Sequence, residues 1–172
     1  MSRPLSAEDA RQPMAAHAAA KGRELRQRYG CRLGWHELLN LLEDRAFVRY
    51  PCAIAFDAAP LLPGEFAYPR PRGSRPEDGF VIHVHPIFQA NLEEVPLLVL
   101  YQLASVNYGD FASAADAEAF GAAALGLDQE EYYAAVCRLA DRLGTRERSR
   151  PGVEHAGAGE TSPRGSAKTP DF

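Results

Sequence analysis

His83 and His85, one residue apart in GFVIHVHPIF (Gly79–Phe88), have the types and spacing to do chemistry. In an extended strand alternate residues share a face. Two imidazoles side by side would then offer two ligands to zinc, iron or nickel. A third ligand must come from another element, and Asp110 and Glu118 are the acids considered for it. The plainer reading is a polar strand face, with Phe80, Ile82 and Val84 packing on the other side.

Other chemistry-bearing groups have simpler explanations. WHELLN (Trp35–Asn40) comes one residue short of the helical HExxH motif, and Asn40 is a poor zinc ligand. Chance and a helix-opening acid account for it. Asp116 and Glu118 lie two apart on an expected helix, so they do not share a face; a cap and a first-turn acid explain both. Cys31, Cys52 and Cys137 are odd in number, scattered and without CxxC spacing. That excludes a disulfide scaffold and a cysteine zinc site, and each thiol reads as inert. No GxSxG, P-loop or GxGxxG occurs. Ser105, inside an apolar helix, is expected to bond its own backbone.

The elements that must position these groups follow from periodicity and punctuation. Residues 6–29 read as a helix with Ser6 as cap, interrupted by Pro13 and stopped at Gly30. Its apolar face is mostly alanine, which predicts weak packing. Trp35–Phe47 is the first strongly amphipathic helix. Cys52–Ala58 alternates as a strand, and Gly79–Phe88 is a second strand ended by Pro86. Residues 59–79, dense in proline and glycine, read as one long irregular loop. Glu93–Gly109 is a helix apolar almost all round, opened by Pro96 and closed by Gly109, and is expected at the centre of the core. A short acidic helix begins near Ser113 or Asp116, and a final one covers Asp128–Leu143.

The chain has 172 residues and a formal net charge of −4, unevenly divided. Residues 1–33 carry seven basic against three acidic side chains; residues 34–143 carry seven against sixteen. An acidic middle segment repels a phosphate backbone, so nucleic-acid binding is not expected. No run reaches the length of a membrane span, and no apolar leader opens the chain. With its unpaired cysteines, the chain is expected in the cytoplasm. Residues 144–172 have fourteen Gly, Pro, Ser or Thr in twenty-nine and are expected to be disordered; His155 lies there and is discounted.

The stretches GFVIHVHPIF, VPLLVLYQLASVNYG and DAEAFG, in that order, resemble the minimal bacterial type of zincin metallopeptidase. There a strand GxIxIxxxxF leads into a helix LxxVLxHELxHxxxG, followed by an acidic DAExFA helix. On that pattern Tyr101 stands for the first histidine, Gln102 for the catalytic glutamate and Ser105 for the second histidine. Leu103 matches the apolar position. Neutral hydroxyls are weak zinc ligands, and an amide has no useful basicity. The resemblance covers roughly residues 35–126 and implies a metallopeptidase-like scaffold without the peptidase machinery, a pseudoenzyme.

The expected architecture is α+β. A small sheet packs on a buried central helix with further covering helices. The expected division is a basic, partly helical extension at 1–33, one domain at 34–143 and a tail at 144–172. The expected function is a non-catalytic, zincin-like domain without a cofactor, acting through protein contacts at loop 59–79, where Phe66, Tyr68 and three arginines gather. The alternative is a metal-dependent hydrolase holding zinc or another divalent transition metal on His83 and His85, with Asp110 or Glu118. A third reading docks the basic N-terminal helix on an acidic partner.

Overall fold

The computed structural model describes residues 7–148, with side chains over 14–144. Five helices and a three-stranded sheet make an α+β fold: α1 (Ala7–Tyr29), α2 (Trp35–Glu43), β1 (Cys52–Phe56), β2 (Ala67–Pro71), β3 (Phe80–Val84), α3 (Val95–Tyr108), α4 (Ala114–Leu125) and α5 (Gln129–Arg148). Ser6 and His155 lie outside the described residues, as does the expected tail from residue 149 on. Residues 144–148 continue α5, so the helix overruns the expected boundary at Leu143.

The central helix is where the sequence puts it. Pro96 sits in the first turn of α3, where its missing N–H breaks no helical bond. Leu98, Val99, Leu100 and Leu103 have no exposed surface, and the helix lies beneath β2 and β3. Among the described residues no helix is long and apolar enough to cross a membrane.

The sheet has the order β1-β3-β2, with β1 parallel and β2 antiparallel to β3. Its inner face carries Ile54, Phe56, Ile82, Val84 and Ala67, packed in or against the core. The irregular loop expected over 59–79 is corrected: Ala67–Pro71 is a strand. Two prolines hid it, and the ladder explains why they fit. Phe66 O accepts from His85 N at 2.8 Å, and Arg72 N donates to Gly79 O at 2.9 Å. Even-numbered positions therefore face β3, and Pro69 and Pro71 turn their N-less edge outward. They break no ladder bond, and they blunt this edge of the sheet.

Helix α1 is also not the loosely attached extension expected over 1–33. It runs through Pro13, and its pairing with α4 is the most extensive between any two elements. Ala18 and Leu25 are fully buried in the main core. Small residues allow close approach here: a Cβ added at Gly22 would fall 2.4 Å from Phe120 O. The alanine-rich face is thus a close-packing surface. Tyr132 ties α5 to α3: its ring is fully buried, and its hydroxyl donates to Leu97 O at 2.7 Å.

Candidate functional site

A groove of about 840 Å³ opens at the C-terminal half of α3, where it meets β2, β3 and the chain before β1. Three anchors shape it. Asn107, near the end of α3, donates through Nδ2 to Phe47 O at 2.7 Å and accepts from Arg49 N at 2.9 Å. That pair fixes residues 47–50 against the helix and sets Tyr50 at the rim, where Arg49 stacks over its ring at 5.3 Å. Tyr50 in turn meets Phe80 of β3, with ring centroids 6.0 Å apart. Strand β2 supplies Tyr68, Pro69 and Pro71, and the turn after α3 supplies Asp110 and Phe111, the latter 87% exposed.

Gln102 lines this groove from α3, with only 9% of its surface exposed. Its side-chain amide makes no hydrogen bond to any described residue. Its polar atoms are open to the groove, since the one buried side-chain polar atom without a partner among the described residues is His83 Nδ1. An amide offers two N–H donors and a carbonyl acceptor. Ser105, one turn on, also lines the groove and is exposed. Contrary to the expected bond to its own backbone, its hydroxyl bonds no described residue, although its carbonyl accepts from Gly109 N.

Tyr101, Gln102 and Ser105 therefore part company. Gln102 and Ser105 face the groove, whereas Tyr101 turns toward β2 and α5. Its ring meets Phe66 edge-on at 5.8 Å and joins the cluster around Tyr132 and Val136. Burial first, then the nearby Glu118 carboxylate, raises the Tyr101 phenol above its ordinary range. Phe66, expected on a contact surface, is half-buried in these contacts.

His83, His85, Asp110 and Glu118 are not brought together. Among the described residues no group of three His, Cys, Asp or Glu side chains could hold a metal ion. His83 lies on the outer face of β3, where its buried Nδ1 has no hydrogen-bond partner and sits 3.9 Å from Asp57 Oδ2. His85 falls beyond the strand end and caps the following 3-10 turn, its Nδ1 accepting from Ile87 N at 3.3 Å. Glu118 Oε2 accepts from Gln129 Nε2 at 3.2 Å. Asp116 forms a capping box with Ser113, receiving its N–H and hydroxyl at 2.8 Å each, as capping preferences imply. His36, Glu37 and Asn40 are exposed on α2. Burial pushes the Cys52 thiol up to about 11, so it stays protonated and unreactive at neutral pH.

No protein-family model, curated protein or solved structure matches the chain. The groove was only partly legible beforehand. Tyr68, Gln102, Ser105 and Asp110 stand out in the sequence, but for a loop surface, for two lost zincin positions and for a metal ligand. Tyr50, Phe80 and Asp110 come from distant parts of the chain, and only the fold joins them.

Proposed function

We propose that this chain is a non-catalytic binding domain that takes an extended peptide segment of a protein partner into the groove over α3. One observation carries the reading: the Gln102 amide, without a hydrogen-bond partner among the described residues, is open to a groove rimmed by aromatic and proline side chains. A peptide group presents one N–H and one C=O, which a carboxamide matches by giving one bond and receiving another. Tyr50, Tyr68 and Phe80 offer the apolar, low-entropy contact surface common at peptide sites.

Catalysis has no support in these groups. The Gln102 amide cannot take a proton from water, and Ser105 has no hydrogen-bonded base to activate it. The zincin-like character belongs to the same proposal and rests on the order of β3, α3 and α4 with their sequence patterns. The partner surface first sought in residues 59–79 enters through β2, whose Tyr68, Pro69 and Pro71 form one wall. The cytoplasmic setting rests on three free thiols in a chain of this length.

The test is selection of a displayed library of random, unstructured peptides on the full chain, followed by calorimetry with the selected peptides. Peptides whose binding falls when single backbone amides are N-methylated support the reading. A library that yields no binder, or binders indifferent to backbone methylation, contradicts it.

A further inference from the structure

We propose that β1 is the pairing edge of a two-fold dimer of this chain, in which β1 adds antiparallel to β1 of a second copy and joins the two sheets. The two edges of the sheet are treated differently. On β2 the outward positions include Pro69 and Pro71, which offer no N–H. On β1, Phe80 N donates to Pro51 O at 2.7 Å and Asp57 N to Val84 O at 3.1 Å. Odd-numbered residues of β1 therefore serve the ladder with β3. The N–H and C=O groups of Cys52, Ile54 and Phe56 point the other way, and no described residue hydrogen-bonds them.

This edge lacks the usual protections. CAIAF has no charge, proline or bulge, and its outward-edge positions include the β-forming Ile54 and Phe56. Helix α2 packs with β1, and Trp35 stacks on Phe56, whose side chain lies on the inner face, so the contact seals that face. Every residue of β1 keeps partial exposure.

A second copy satisfies the edge by symmetry. An antiparallel pair centred on Ile54 sets each outward N–H against an outward C=O, with Cys52 opposite Phe56 of the other copy. It also matches charge: exposed Arg49 precedes the strand and exposed Asp57 follows it, so antiparallel pairing brings basic and acidic ends together. In that register Ala53 faces Ala55 of the other copy on the outer face, as a non-hydrogen-bonded pair with close side chains.

Sedimentation of the full chain from about 1 µM to 1 mM tests this directly. The wild type is expected to pass from monomer to dimer across that range. A53K/A55K sets like charges opposite each other twice and is expected to weaken association about tenfold. A53E/A55K sets opposite charges in the same places and restores it. A wild type that stays monomeric throughout, or a dimer indifferent to both variants, overturns the proposal. Should A53K/A55K fail to fold, hydrogen exchange of the wild type decides. Amides of Cys52, Ile54 and Phe56 that gain protection with concentration support the edge, and amides unprotected at both extremes overturn it.

Discussion

Replacing Gly22 by alanine sets two effects of opposite sign against each other. Within a helix, glycine to alanine gains about 1 kcal/mol from propensity alone. If α1 were a solvated extension, G22A would therefore stabilise the protein. The structure gives the opposite sign. The new Cβ would lie 2.4 Å from Phe120 O, 2.8 Å from Ala123 Cβ and 3.0 Å from Ala124 N. Two of those atoms are α4 backbone and cannot rotate away, so the helices must separate along their closest line of contact. Overpacking of this kind costs about 1–3 kcal/mol, and contact with rigid backbone belongs in the upper part of that range. The net expectation is a loss of about 1–2 kcal/mol, or a Tm lower by roughly 2–8 °C for a chain of this size. Urea and thermal unfolding followed by circular dichroism read this directly. A16G, at an exposed site on the same helix, should cost only the propensity difference, about 1 kcal/mol. Adding A123G to G22A removes one clash but leaves Phe120 O and itself costs about 1 kcal/mol of helix propensity in α4, so it should not restore wild-type stability. A G22A protein more stable than wild type would refute the close packing of α1 on α4.

Two further outcomes follow from buried groups. Y132F removes the hydroxyl that donates to Leu97 O and leaves the ring in place, so it should cost about 0.5–1.5 kcal/mol in urea unfolding; no loss would mean the bond is not formed. Stability should also fall as pH rises from about 9 to about 11, because the unfolded Cys52 thiol ionises across that window while the folded one, held up by burial, stays protonated. The buried Tyr132 phenol, raised well above its ordinary value of 10.0, extends the fall to higher pH. The C52A variant should lose less stability between pH 9 and 11 than wild type, and equal slopes would contradict the assignment.

What the sequence discloses and what it hides have physical causes. Helix α3 is legible because it is apolar almost all round and punctuated at both ends by Pro96 and Gly109. Strands β1 and β3 are legible because alternation survives in them. Strand β2 is hidden because prolines normally deny a strand, and only the pairing partner shows that Pro69 and Pro71 face away from the ladder. The packing of α1 is hidden for a related reason. Alanine and glycine contribute little to an amphipathic pattern, yet they let backbones approach most closely. Of the acids after α3, Asp116 stands at the third helical position and completes the capping box of Ser113, whereas Glu118, expected in the first turn, lies beyond it and accepts from Gln129. The histidine pair does not form a unit, because the strand ends at Val84 and leaves His85 in the following turn. The groove has no linear signature, since its walls come from five separate stretches of chain.

The central claim is that Gln102 recognises a peptide group from within that groove. The most direct measurement is calorimetric titration of a library-selected peptide into wild type and Q102L. Leucine keeps the bulk and removes both halves of the amide, so folding is preserved while the recognition bonds are lost. The account predicts binding at least tenfold weaker for Q102L, with Tm little changed because the amide makes no bond to the described residues. Equal affinity for the two proteins would contradict it.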